Sequence, residues 1–389
     1  MHAATTPVKD FRDAGARLLR IDPLMLLATI GLIAASIYTV GTATQDDVRG
    51  DPNYFAYRQA GYAAVGFVLM LLMTRFDYSR LREWKLGIYG VLIGSILLVY
   101  VLGFSARGSR RAIELPFFNF QASELGKLLL IVALAAFMVD RFRRLTDRET
   151  TSRMVLLALI PAMLVVAQPD LGSGLVYLAI LAAVMFVAGT PWTHFAGLGG
   201  LAAAAIVVVL VAAPAVGIEA LKPYQKDRLT AFLNPAENRG EEAYQINQSL
   251  TAIGSGGKTG RGDAATQTKL DFLPDHHTDF VFSVVGEEFG FVGAALVLSL
   301  FALLIWRALR TLTMAKNFYG ALVAGGITAM LMFQVFVNVG MTIGIMPITG
   351  IPLPLMSYGG SSVITTLMAI GLLQSIHAQA RETSAVKRL

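Results

Sequence analysis

The sequence predicts an all-α polytopic membrane protein with about ten transmembrane helices and a large extracytoplasmic loop between helices 7 and 8. Three observations predict this fold class. Hydrophobic residues make up 55% of the 389 residues. Charged residues make up only 15%, whereas a soluble domain carries about 25%. The apolar residues also fall into long runs, and about 20 such residues cross a bilayer as one helix.

Ten apolar segments have the length and composition of a spanning helix. The first is too long for the core of a signal peptide and lacks a clear cleavage site, so we interpret it as a retained span. Nine polar connections separate the segments, and only one of these is long. The predicted spans are 22–42, 58–74, 86–104, 120–139, 154–168, 171–189, 195–214, 279–306, 319–341 and 358–377.

The basic residues indicate the orientation of the chain. The net charge is +6, and 19 of the 32 Lys and Arg residues fall on one side of the predicted bundle. Because cytoplasmic loops of membrane proteins are enriched in these residues, this side and both termini are predicted to be cytoplasmic. The positive charge therefore reports topology and contacts with anionic lipid, not a nucleic-acid partner. The chain has no cysteine, which excludes disulfides and thiol chemistry.

The polar segment 217–278 is predicted to form an extracytoplasmic loop subdomain on a single membrane domain, 1–389. Loops of this length are uncommon unless they have a function or are disordered. Within it, 241–254 has the pattern of an amphipathic helix. The glycine-rich stretch 255–262 is not a P-loop, because Ala252 stands where that motif requires glycine and no strand precedes it.

Three ionisable residues lie at or near membrane depth. Glu124 and Lys127 are three positions apart and share a helix face, so they form either a packing ion pair or part of a polar cavity. Asp170 lies in a tight outer turn, where it is either an ordinary turn residue or a functional acid.

Arginines 107, 110 and 111 lie on the predicted outer side, against the orientation rule. The planar guanidinium group suits phosphate because it donates two parallel hydrogen bonds. We therefore expect an anionic ligand at this short outer loop. Contact with lipid headgroups is the alternative.

The stretch 272–280 places histidines and acids where the long polar segment meets an apolar helix. Charge at the mouth of a membrane helix costs free energy, so Asp279 is a candidate functional acid. His276 and His277 could bind a metal with Asp275 and Asp279, or a hard cation could sit on a diphosphate ligand. Farther along the helix, at most one of the two glutamates at 287 and 288 is expected to share the face of Asp279.

The segment 346–362 is rich in proline and glycine and cannot form one continuous helix. Irregular backbone at membrane depth is tolerated where it is buried in protein or lines a wet cavity. Its hydroxyl and amide groups are suited to bind a sugar or a phosphate, with a plain outer turn as the alternative.

Six motifs together resemble the SEDS family (shape, elongation, division and sporulation proteins), in order and over nearly the whole chain. The segment 338–347 resembles the elongation member of that family more than the division member. The motifs are Gly-Ser-Arg-Arg at 108–111, Gln-x-Ser-Glu-x-x-Lys at 121–127, Gln-Pro-Asp-Leu-Gly at 168–172, Tyr-Gln-x-x-Gln-Ser at 244–249, Leu-Pro-x-x-His-Thr-Asp-Phe at 273–280 and Pro-Leu-Pro-x-x-Ser-Tyr-Gly-Gly-Ser-Ser at 352–362.

The resemblance implies a ten-span peptidoglycan glycosyltransferase of the bacterial inner membrane that polymerises lipid II beside a class B penicillin-binding protein. The essential acid of the family corresponds to Asp279. No cofactor is implied beyond a divalent cation, Mg²⁺ or Mn²⁺, on the diphosphate. The substrate-binding candidates on these motifs are Arg110, Arg111, Glu124, Lys127, Asp170, Gln245, Gln248, Ser249, His277, Ser357 and Ser361.

Two residues depart from the family pattern. Ala112 replaces a Trp that usually follows the double arginine, and Ala122 replaces a Pro. The first change removes an aromatic surface of the kind that stacks on sugars. Converting an α-linked diphosphate donor into a β-1,4 linkage inverts the anomeric carbon, and this predicts a general base, for which Asp279 is the candidate. A lipid II flippase and a non-catalytic scaffold for the transpeptidase are the alternatives.

Overall fold

The computed structural model describes residues 20–45, 47–48, 50–106, 109–115, 118–215, 240–268 and 272–386. Long helices account for most of this part of the chain. In chain order they are α1 (Pro23–Ala43), α2 (Tyr54–Arg75), α3 (Lys85–Leu102), α4 (Ala122–Asp140), α5 (Arg148–Ala167), α6 (Leu171–Val187), α7 (Trp192–Ala215), α8 (Glu241–Ser255), α9 (Val281–Met314), α10 (Phe318–Thr342) and α11 (Gly360–Val386).

The helical membrane fold is confirmed. Among the described residues, nine helices are long and apolar enough to cross a membrane, and the apolar helix α6 is slightly shorter at 17 residues. These ten helices coincide with the ten predicted spans. The remaining long helix, α8, is the predicted amphipathic helix and ends one residue later than expected.

Side-chain caps start several of these helices. The carboxylate of Asp22 accepts hydrogen bonds from the backbone N–H groups of Leu24 and Met25, and Pro23 occupies the first turn of α1. Asn317 caps α10 in the same way through the N–H of Gly320. Each cap satisfies donors that have no partner within the helix, so it fixes where the apolar run begins.

The spanning helices differ widely in burial. The central ones are α4, α10 and α11, whereas no residue of α7 is buried. α11 packs along α2, and α9 packs between α1 and α10. The polar and charged groups at the centre therefore lie mainly on α4, α10, α11 and the segments that lead into them.

The short loop predicted between α3 and α4 contains a small antiparallel sheet. Its strands are β1 (Phe104–Ala106), β2 (Ser109–Glu114) and β3 (Asn119–Phe120), in the order β1-β2-β3. Pairing satisfies backbone groups that a loop would leave to water. Arg110 and Arg111 lie in β2, but their side chains fall outside the described part, as does Arg107.

The helix α9 is interrupted near its N-terminal end. Its 34 residues span about 51 Å at about 1.5 Å per residue, well beyond the ~30 Å bilayer core. At Gly290 the backbone leaves the helical region with φ 62° and ψ −157°. There the N–H groups of Phe291 and Val292 donate to the carbonyls of Gly257 and Lys258, at 3.0 and 3.1 Å. The glycine-rich stretch 255–262 thus supplies the carbonyl acceptors for the N–H groups at the break in α9.

Candidate functional site

Asp279 lies on a tight turn immediately before α9. The carbonyl oxygen of Asp275 accepts hydrogen bonds from the backbone N–H groups of Thr278, Asp279 and Phe280, at 3.1, 3.1 and 3.3 Å. Asp275 itself has a φ of 53°, in the left-handed region that few side-chain-bearing residues adopt. Strained backbone of this kind is common at functional sites. The side chain of Asp279 is half-buried at the end of this turn.

Two neighbouring elements hold Asp279 in place. The amide of Asn338, on α10, donates to the carbonyls of Asp279 and Ile351, at 2.9 and 2.8 Å. Gly350 lies against the carboxylate, because a Cβ atom at that position would stand 3.6 Å from Asp279 Oδ2. The irregular segment between α10 and α11 therefore forms one wall beside the candidate base.

The same irregular segment is fixed by its own polar groups. The hydroxyl of Ser357 accepts a hydrogen bond from Leu353 N at 2.8 Å and is buried. The N–H of Tyr358 donates to the carbonyl of His277 at 2.9 Å, which ties the segment to the turn that carries Asp279.

Ser361 connects α11 to the start of α4. Its hydroxyl accepts a hydrogen bond from Gln121 N at 2.9 Å and donates to the carbonyl of Asn119 at 2.7 Å. Both serine candidates of this region thus hold protein segments together in the structure. Direct binding of substrate by Ser357 and Ser361 stays a prediction.

Asp170 connects the fourth and sixth helices. One carboxylate oxygen caps α6 through Ser173 N at 3.0 Å. The other accepts from the Ser123 hydroxyl at 3.0 Å and from the Gln121 amide at 3.1 Å. Next to it, Gly172 touches the irregular segment so closely that any Cβ would stand 2.6 Å from the carbonyl of Thr349. Packing contacts therefore run from Asp170 to the wall beside Asp279.

Glu124 and Lys127 form a buried ion pair, as their spacing predicts. The distance from Lys127 Nζ to Glu124 Oε1 is 2.5 Å, and the side chains are only 2–3% exposed. A buried pair has to offset the cost of removing two charges from water, so it is weak evidence for stability. Its place on the central helix α4 fits both the packing and the cavity interpretation made from the sequence.

The candidates on α8 differ in how deeply they are buried. Ser249 is fully buried, and its hydroxyl lies 2.6 Å from that of Ser283 and 2.7 Å from the carbonyl of Thr342. It therefore joins α8 to α9 and α10. Gln245 and Gln248 are half-buried on the flank of the helix. Their contact with substrate stays a prediction.

Glu287 and Glu288 both join segments of the protein. The carboxylate of Glu287 accepts hydrogen bonds from the N–H groups of Thr266, Gln267 and Thr268 and from the Thr268 hydroxyl, at 2.6–3.0 Å. Glu288 accepts from the hydroxyl of Thr42 on α1 at 2.6 Å. These buried acids hold residues 266–268 and α1 against α9.

The two adjacent histidines meet an acid from a distant loop. His277 packs against the rings of Phe55 and Tyr358, with centroid distances of 5.2 and 5.7 Å. The ligand atoms of His276, His277 and Asp47 lie within 4.8 Å of one another, a grouping that could hold a metal ion. From the sequence the histidines were paired with Asp275 and Asp279. Asp47 was missed because it follows α1, far away along the chain.

Comparison with known proteins identifies the family. The family model of FtsW, RodA and SpoVE, described as cell cycle proteins, matches residues 17–382. The chain belongs to this family. Stage V sporulation protein E of Bacillus subtilis is 36% identical over 367 residues, which cover 94% of this chain and 97% of that protein. The resemblance read from the six motifs is thereby confirmed.

Other FtsW/RodA/SpoVE relatives also match over more than nine tenths of this chain. Peptidoglycan glycosyltransferase MrdB of Escherichia coli is 34% identical, covering 94% of this chain and 96% of the relative. A chain from a peptidoglycan synthase complex has a TM-score of 0.78 at 33% identity, covering 92% of this chain and 98% of that one. RodA of Thermus thermophilus has a TM-score of 0.66 at 31% identity, with coverage of 92% and 96%.

Proposed function

We propose that this protein is a peptidoglycan glycosyltransferase that polymerises lipid II into β-1,4-linked glycan strands, with Asp279 as the general base. Family membership supports the activity, because relatives covering nearly the whole chain are named peptidoglycan glycosyltransferases. The observation that supports Asp279 as the base is the structure around its carboxylate. A half-buried carboxylate stands on a strained turn, held through its backbone by Asn338 and flanked by Gly350.

The proposed reaction is a single inverting displacement. Asp279 takes the proton from the acceptor 4-hydroxyl as that oxygen bonds to the anomeric carbon of the donor. The bond from this carbon to the diphosphate breaks at the same time, and the diphosphate leaves with the electron pair. Arg110, Arg111 and Lys127 are the residues proposed to offset its growing negative charge.

A divalent cation, when bound to the diphosphate, would supply further positive charge to the leaving group. Asp170 and Glu124, two of the substrate-binding candidates, already bond to protein groups. Within the described residues, the grouping of Asp47 with His276 and His277 is better suited to bind an ion.

The multi-pass helical fold and the FtsW/RodA/SpoVE relatives support a location in the inner membrane. We propose that both termini are cytoplasmic and that a class B penicillin-binding protein cross-links the product. The relative from a peptidoglycan synthase complex supports such a partner, because that complex coordinates polymerization and crosslinking. The sequence of 338–347, which includes the Asn338 that holds Asp279, supports a role in elongation.

The decisive experiment supplies detergent-purified protein with lipid II and separates the products on a gel. Wild type is expected to make glycan strands, and Asp279→Ala and Asp279→Asn are expected to lose at least about a hundredfold in rate. Asp263→Asn, an exposed acid in the same outer segment, is the matched control. Full polymerisation by Asp279→Ala would refute the proposed base. Detergent leaves no bilayer to cross, so strand synthesis would also argue against a flippase.

A further inference from the structure

A cluster of possible ligand atoms lies beside the turn that carries Asp279. It combines Asp47, from the loop after α1, with His276 and His277, and the three ligand atoms lie within 4.8 Å of one another. Asp47 is exposed, His276 is buried and His277 is half-buried. The cluster therefore joins a solvent-accessible carboxylate to two imidazoles already positioned by the protein.

The hydrogen bond of His276 favours one tautomer. Its Nδ1 lies 3.1 Å from the carbonyl oxygen of Leu273, which can only accept, so Nδ1 carries a proton. In the neutral ring Nε2 then presents a lone pair, 3.9 Å from a carboxylate oxygen of Asp47. Two electron-rich atoms at this separation are stabilised by a cation between them. Metal-binding histidines usually donate their other ring N–H to a carbonyl or carboxylate in this way.

The second imidazole is held by packing. The ring of His277 contacts Phe55 on α2 and Tyr358 at the entrance to α11, and it meets the ring of His276 edge-on at 5.1 Å between centroids. The backbone carbonyl of His277 accepts from Tyr358 N at 2.9 Å. These contacts restrict both the ring and its backbone, so little ordering entropy remains to be lost on binding an ion.

We propose that Asp47, His276 and His277 bind one first-row divalent transition-metal ion of the zinc class. Two imidazole nitrogens and one carboxylate favour such a metal over Mg²⁺ or Ca²⁺, which take oxygen ligands. Three protein ligands leave a fourth position open for water or an anionic oxygen. His276 occupies an open position of the Leu-Pro-x-x-His-Thr-Asp-Phe pattern, so the site belongs to this chain and not to the motif as such.

Metal binding is tested directly on the full chain in detergent, purified through a tag without histidines and stripped with a chelator. Titration with Zn²⁺ against a chromophoric chelator is expected to show one ion per chain. Asp47→Asn and His276→Ala are each expected to weaken binding at least about tenfold. Asp51→Asn, in the same loop, and His194→Ala, a histidine already bonded to Thr151, are matched controls that should bind as wild type does.

Several results would overturn the site. The site would be refuted if the wild-type protein took up no Zn²⁺, or if the Asp47→Asn variant bound Zn²⁺ as tightly as wild type. It would also be refuted if the two control variants lost as much affinity for Zn²⁺ as the ligand variants. Asp47 is exposed, so its variant decides the matter even if His276→Ala fails to fold. Any role of the ion in glycosyl transfer rests on the proposed function, but binding does not. Asp279→Asn is expected to keep the metal and lose polymerisation, so the two proposals fail separately.

Discussion

At the scale of single residues, the position of Asp279 depends on neighbouring residues that take no part in the proposed reaction. Asn338 holds its backbone, and Gly350 lets the irregular segment pass close to its carboxylate. The φ of Gly350 is 71°, a conformation that costs about 1–2 kcal/mol in a residue with a side chain. The position of the candidate base therefore depends in part on Gly350, because a residue without a side chain can adopt this φ.

Gly350→Ala is expected to lower the rate of strand synthesis by about tenfold or more while leaving the protein folded. The new side chain would be strained at the φ of 71°, so the backbone beside Asp279 would shift, and small misplacements of catalytic groups are costly. Polymerisation rates at saturating lipid II measure the effect. Gly359→Ala is the control, because a Cβ there meets nothing within 4 Å. Equal rates for both variants would contradict the positioning role.

Asp170→Ala is expected to destabilise the protein by about 1–3 kcal/mol. The change removes the cap of α6 and leaves the donors of Ser123 and Gln121 without their acceptor. Thermal unfolding in detergent measures the loss. Asp147→Ala is the matched control, since Asp147 precedes α5 but makes no capping hydrogen bond. Matching stability losses in the two variants would show that the bonds of Asp170 matter little.

The sequence identified the types of the polar residues better than their contacts. Ser249 is a candidate because it lies on a family motif, and Ser357 and Ser361 because hydroxyls can also bind sugars, yet each bonds to protein in the structure. Neither periodicity nor spacing specifies the partner of a hydroxyl that lies across the bundle. Asp47 was missed for the same reason, because its closeness to His276 arises only when α1 and α9 pack together.

At the scale of elements, the apolar runs predicted all ten spanning helices, but not where α9 ends or breaks. Its predicted span stopped at 306, whereas the helix continues to Met314 and contains Arg307, which pairs with Asp22. An arginine counted as an orientation marker is therefore a buried packing residue. The break at Gly290 has no local signature, because it depends on the turn at 256–260 meeting the helix backbone.

Residues 266–268 are expected to separate from α9 when Glu287 is changed to Gln. The amide nitrogen would replace one carboxylate oxygen and direct its own N–H either at the N–H groups of Thr266 and Gln267 or at the N–H of Thr268. Losing a hydrogen bond to a charged group costs about 1.5–3 kcal/mol. Hydrogen exchange of these amides should rise at least about tenfold. Glu241→Gln, an exposed acid on α8, is the control. If these amides exchanged as slowly in Glu287→Gln as in wild type, Glu287 would not be what holds residues 266–268 against α9.

At the scale of the whole molecule, the helical architecture follows from composition, whereas its sidedness follows from charge. The apolar runs set the number of spans, and pairing among α4, α10 and α11 produces a polar centre that no single run predicts. The basic loops, including the one between α4 and α5, indicate which end faces the cytoplasm. The orientation proposed from these loops would put α8, Asp279 and the Asp47 cluster on the outer side, where a lipid-linked sugar would be used.

The orientation can be tested directly, because the natural chain contains no cysteine. Single cysteines are introduced at exposed positions on opposite sides of the bundle, Asn247→Cys on α8 and Thr146→Cys between α4 and α5. In intact cells whose outer membrane has been opened, a membrane-impermeant maleimide should label Asn247→Cys only. Both should react after detergent treatment, and the cysteine-free chain should never react. The reverse pattern would place Asp279 on the cytoplasmic side, away from any acceptor strand, and the proposed chemistry would fail with it.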